Sequence, residues 1–134
     1  MFQNVLPLVR RPRHPMSAVL EDLPVGYQAI DVEGVLVVVG PTGAFALCDD
    51  EPDVCAAARR VAGAAVRVRN LLAARLSWAP FVDPLVVVDR VTSRVAEATV
   101  VPRRLLRDLL TTGNLQLGEA EIGRIVATLD AEAA

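Results

Sequence analysis

Asp49-Asp50-Glu51-Pro52-Asp53 puts four carboxylates into five residues, the densest chemistry in the chain. Oxygen donors at this spacing suit a hard divalent cation, and a bound cation lowers the pKa of a water for hydrolysis. Asp31 or Glu33 upstream, together with Asp49 or Asp50, could then complete a metal-dependent site. Helix capping competes for the same residues. A long helical pattern begins here, and acidic side chains with a proline at a helix start suit its free amide groups and the positive end of its dipole. Capping is the stronger expectation, so neither a metal nor another cofactor is expected. His14 is the single histidine and lies in a proline-rich stretch, which leaves serine and cysteine nucleophiles without a well-placed base. Cys48 and Cys55 lack C-x-x-C spacing and read as small buried hydrophobes. Gly40-Pro41-Thr42-Gly43 joins two apolar runs directly, whereas a phosphate cradle needs a helix N-terminus behind it; it is turn chemistry.

Composition narrows the classes further. The chain has 134 residues, enough for one domain with its own core, and 53% hydrophobic residues with only five aromatics, so Val, Leu and Ala must build that core. Mean hydropathy is +0.40, yet no apolar run approaches the roughly 18 to 20 residues of a membrane span. Met1 to Arg10 carry neither a basic start nor a small-residue cleavage site, and a cytoplasmic protein is expected. Net charge is −2, which argues against the broad positive field of a protein that grips phosphates. All fourteen basic residues are arginine, so no lysine is present to act as a general base.

The elements that must position these residues are legible in outline. Residues 1–15 form a basic arm in which Arg10, Arg11 and Arg13 alternate with Pro12, His14 and Pro15; it reads as a solvated tail or as a phosphate-contacting arm. Residues 16–134 form a single α/β domain. Ser17 caps a short helix through about Asp22, which Leu23-Pro24 ends. Strands follow at Val25 to Val32, Val35 to Val39 and Ala44 to Cys48, the last two closed into a hairpin by Gly40 to Gly43, with glycines supplying positive φ and Pro41 presetting the turn. Their unbroken apolar runs place this hairpin at the centre of the sheet. A helix from about Pro52 to Leu76 sets Val54, Val61, Ala65, Val68, Leu72 and Leu76 in one stripe, with Arg59, Arg60, Arg67 and Asn70 on the other side. Ser77-Trp78-Ala79-Pro80 closes it. Strands at Leu85 to Asp89 and Ala98 to Val101 precede a helix opened by Pro102 and capped by Gly113. A last helix spans about Gly118 to Leu129, with Ile122, Ile125, Val126 and Leu129 inward. The strand at Leu85 must run parallel to a member of the hairpin, because a long crossover helix intervenes.

Gly34-Val-Leu-Val-Val-Val-Gly-Pro-Thr-Gly-Ala-Phe-Ala-Leu-Cys48-Asp-Asp50 resembles the strand-turn-strand of the nuclease-related domain, a branch of the restriction-endonuclease-like superfamily. Its members read Asp-His-(apolar)3-Gly-Pro-x-Gly-(apolar)4-Asp/Glu-x-Lys. Leu23-Pro24-Val25-Gly26-Tyr27 resembles the entry to that family's first strand, and the valine-proline, arginine-leucine helix and final acidic helix resemble its ending. The resemblance implies a restriction-endonuclease-like α/β fold, a mixed central sheet of about five strands flanked by helices. It puts Val35 where the family has its metal-binding aspartate, Cys48 at the second carboxylate and Asp50 at the lysine. The excursion that follows in active members is missing. A degenerate, catalytically inactive relative is therefore expected, acting as a protein-binding or assembly module, with a protein partner or a homo-oligomer. Trp78 and Phe81, aromatics beside a helix-ending loop, are the candidate contacts. The alternative is a non-cleaving nucleic-acid-binding module that uses Arg10, Arg11, Arg13, Arg59, Arg60 and Arg67. A second alternative is a divergent metal-dependent nuclease.

Overall fold

Strand order explains the two continuous apolar runs. The computed structural model describes residues 21, 23–91 and 94–133, and among them it holds a five-stranded sheet in the order β1-β2-β3-β4-β5. The strands are β1 (Gln28–Val32), β2 (Val35–Gly40), β3 (Gly43–Asp49), β4 (Val82–Val88) and β5 (Thr99–Pro102), and the helices are α1 (Val54–Leu76), α2 (Arg103–Thr111) and α3 (Glu119–Ala133). The expected mixed α/β sheet flanked by helices is present. The first three strands pair antiparallel in sequence, whereas β3–β4 and β4–β5 pair parallel, with Ala44 opposite Val82 and Leu85 opposite Thr99. The basic arm with Arg10, Arg11 and Arg13, and the helix capped by Ser17, lie outside the described residues.

Both faces of the sheet are covered, so β2 and β3 need apolar residues at every position. Val35, Val37, Ala46, Cys48 and Val86 face α1 and α3, which contribute Val61, Val68, Leu72, Ile125 and Leu129 to one cluster. Leu36, Val38, Phe45, Leu47 and Leu85 form the opposite cluster with Leu106 and Leu110 of α2. Ile122, Ile125, Val126 and Leu129 are all buried, as their spacing predicts. On α1 the buried stripe is wider and richer in alanine than the sequence pattern indicates. Ala57, Ala58 and Ala64 are buried beside Val61, Ala65, Val68 and Leu72, while Val54 and Leu76 at the two ends are only half-buried. Small side chains let the helix approach the sheet closely. No helix among the described residues is long and apolar enough to cross a membrane.

Several boundaries differ from the sequence expectation, each for a local reason. The first strand starts at Gln28 rather than Val25, because Pro24 to Tyr27 forms a turn in which the Tyr27 amide donates to the Pro24 carbonyl at 3.2 Å and Gly26 takes φ 97°. The β1–β2 connection is itself a tight hairpin. Glu33 (φ 54°) and Gly34 (φ 85°) are both left-handed, the pattern of a type I′ turn, and the Gly34 amide donates to Asp31 Oδ1 at 2.9 Å. Only Asp53 of the acidic run caps α1, accepting from the Ala56 amide at 2.9 Å; Pro52 and the other three carboxylates precede the helix instead of filling its first turn. Pro102 likewise sits one position before its helix, ending β5 in extended geometry (φ −68°, ψ 141°).

Candidate functional site

The positions singled out by the family pattern meet at the open end of the β2–β3 hairpin. Leu36 is opposite Leu47, so one pair farther out Val35 faces Cys48, and both side chains enter the cluster beneath α1. Val35 is 2% exposed and Cys48 3% exposed. The strands thus bring together the two positions expected to be paired, but inside the apolar interior. Cys48 Sγ donates to the Ala57 carbonyl on α1 at 3.5 Å, and burial pushes its thiol from an ordinary 9.0 to about 11, against a smaller opposing pull from the Arg60 guanidinium. A thiol so held is neutral near pH 7 and is neither a nucleophile nor a metal ligand. Asp50 lies one residue beyond β3 and is exposed.

A protein cation occupies this end of the sheet. Arg60 Nη1 donates to the Glu51 carbonyl at 2.9 Å, and its Nη2 lies 3.8 Å from Asp49 Oδ1. Arg60 therefore ties the acidic loop to α1. Among the described residues no group of three His, Cys, Asp and Glu side chains is placed to hold a metal ion. Of the carboxylates that a divergent site could have recruited, Asp31 accepts from the Gly34 amide and Glu33 Oε1 lies 3.6 Å from Arg67 Nε. Asp49 faces Arg60.

The remaining candidates are spread over different faces. Arg59, Arg60 and Arg67 are exposed on α1, but two of the three point to carboxylates of neighbouring segments. Trp78 is half-buried against the α1–α3 cluster, with the Arg124 guanidinium of α3 6.0 Å from its ring centroid. Phe81 is 69% exposed immediately before β4.

The opposite end of the hairpin is a structural hub that sequence reasoning saw only as a turn. A Cβ on Gly40 would lie 2.2 Å from Tyr27 Cδ2, so the tyrosine ring rests on bare backbone there. Thr42, the one buried polar residue among the described residues, donates its hydroxyl proton to the Leu110 carbonyl at the end of α2; the Tyr27 hydroxyl therefore donates to Thr42 Oγ1, at 2.9 Å. The Pro41 carbonyl accepts from Gln116 at 2.7 Å and from Leu117 at 3.2 Å. The motif that carries the family resemblance is thus fully employed in holding four segments together. The available signal is Tyr27, the single tyrosine, which closes the turn begun at Pro24.

Comparison of the chain with family models, with curated proteins and with solved structures finds no match.

Proposed function

We propose that this chain is a catalytically inactive nuclease-like α/β domain that serves as a protein-binding or assembly module of the cytoplasm. The observation that carries the reading is the burial of Val35 and Cys48 as an apolar pair at the positions where a related nuclease would present two carboxylates. Magnesium and manganese require oxygen ligands and a water to activate, and an alkyl group beside a neutral thiol offers neither. With Arg60 bonded to the acidic loop at that end, the exposed apolar side chains are the features left to act, the aromatic Phe81 among them. The test is incubation of the purified protein with single- and double-stranded DNA and Mg²⁺ or Mn²⁺. No cleavage above background is expected. Cleavage that disappears on Asp50→Ala, with the fold intact, would overturn the reading and favour a divergent nuclease.

A nucleic-acid-binding module is the second reading, and one observation favours it: α1 carries five arginines and no acidic residue. The balance rests with protein, because three of the five are matched by carboxylates from other segments and net charge is −2.

A further inference from the structure

We infer that the cavity between the β1–β2 turn, α1 and α3 binds an alkylammonium group, as presented by a lysine side chain of a protein partner. The inference rests on the protein-binding reading and names what that partner must carry. Val32 of β1 and Ala64, Val68 and Leu71 of α1 form the apolar wall, while Glu33, Arg67 and Glu132 supply the rim of a volume of about 170 Å³. Ala64 and Val68 are buried and Val32 and Leu71 half-buried, so the wall is reachable from outside. Apolar cavities of about 150 Å³ accept a molecule the size of benzene, whereas larger ligands occupy roughly 300–1,000 Å³. The space therefore suits a single aliphatic stem with its head at the mouth.

The rim selects the head. Two carboxylates line it against one guanidinium, and each carboxylate is engaged through one oxygen: Glu33 Oε1 lies 3.6 Å from Arg67 Nε, and Glu132 Oε1 accepts from Arg75 Nη2 at 3.1 Å. The second oxygen of each has no partner among the described residues. Arg67 folds back along α1, with Nη1 3.4 Å from where a Cβ on Gly63 would stand. Glu33 is also an unusual residue for its place, because at φ 54° it fills a left-handed turn position that favours Asn, Asp or Gly. A longer carboxylate stands there against backbone preference, and it is the one that reaches the cavity. An ammonium is compact and carries three donors, so it can bridge single oxygens from two elements while its stem lies on Val68 and Leu71. The planar fork of a guanidinium is matched instead to both oxygens of one carboxylate, and here one of each is already taken. All fourteen basic residues of this chain are arginine, so a lysine must come from a different protein and not from a second copy.

Titration of the full-length ¹⁵N-labelled protein, followed by amide chemical shifts, tests the inference. The probes are an end-blocked Gly-Gly-Lys-Gly-Gly peptide, its norleucine and arginine counterparts, and n-butylammonium. The lysine peptide should shift the amides of Val32, Glu33, Val68 and Leu71. Norleucine, which keeps the stem and loses the charge, should bind at least about fivefold more weakly, the scale of one or two exposed ion pairs. A Glu33→Gln, Glu132→Gln double variant should lose about the same factor for lysine and none for norleucine, with an unchanged melting temperature because both side chains are exposed. Absence of shifts at the cavity, or arginine or norleucine binding as tightly as lysine, would overturn the inference. So would n-butylammonium binding where the lysine peptide does not, since the ligand would then be a free amine. None of these failures touches the inactive-module reading, which only metal-dependent cleavage removes.

Discussion

The Tyr27 ring packs against Gly40 so closely that a methyl group on Gly40 would sit 2.2 Å from Tyr27 Cδ2. Gly40 has no positive φ; the left-handed glycine of the tip is Gly43, at φ 135°. Gly40 is therefore small because of contact, not backbone conformation. Gly40→Ala should destabilise the fold by about 1–3 kcal/mol through overpacking. Most of that loss should vanish in a Tyr27→Ala background. A double-mutant cycle by chemical denaturation reads the coupling, and additive effects would show that the ring does not set the residue.

Thr42 yields a second expectation from the same hub. Its hydroxyl satisfies the Leu110 carbonyl and accepts from Tyr27, both inside the structure. Thr42→Val keeps the volume but leaves a buried carbonyl and a phenol without partners, which should cost about 1–3 kcal/mol. Tyr27→Phe, which removes only the outer bond, should cost less. Equal losses would place the energetic weight on Tyr27 instead.

The hub also shows where the sequence was legible and where it was not. Val35 to Val39 and Ala44 to Cys48 announced a doubly covered hairpin, and the parallel β3–β4 pairing followed from the long helix between them. Local pattern could not reveal that Pro41 and Thr42 bond to residues 116, 117 and 110, since such contacts depend on tertiary placement. The same limit applies to Arg60, whose long side chain looked solvated from helical spacing but reaches back to the Glu51 carbonyl. The β1–β2 hairpin was missed because Glu33-Gly34 lacks an Asn or Asp at the first left-handed position; Asp31, two residues earlier, supplies the stabilising side chain.

The two thiols should behave as different species. Cys48 is buried and Cys55 exposed. A thiol reagent should modify Cys55 alone in the native protein and both after denaturation, and fast modification of Cys48 would contradict the packing beneath α1. The raised pKa of the buried Cys48 thiol gives a pH signature with a definite sign. Below the ordinary value of 9.0 both states keep the proton and stability is unaffected; above it only the unfolded thiol ionises, so stability falls until the pH passes about 11. In Cys48→Ala this alkaline slope should flatten relative to wild type, as measured by denaturant titrations across the interval.

Salt dependence separates protein binding from phosphate binding. On α1, Arg60, Arg67 and Arg75 face Asp49, Glu33 and Glu132, with the last pair at 3.1 Å. Each exposed pair is worth little, at most about 1 kcal/mol, but it lowers the positive potential a phosphate would feel. Arg59 and Arg69 are exposed, and no ion pair engages them among the described residues. On α1 a nucleic-acid module would rely on this pair, with Arg10, Arg11 and Arg13 outside the described residues as a further source of charge. Each phosphate contact contributes a log–log slope of about −0.9 against salt, and each arginine removed flattens it by about one unit. For the assembly module, DNA retention should be weak even at low salt, and an Arg59→Ala, Arg69→Ala double variant should leave it unchanged. A steep slope that loses about two units in the double variant would transfer the function to nucleic acid, because charge removal on one helix face weakens a phosphate-bound state and leaves an apolar protein contact unaffected.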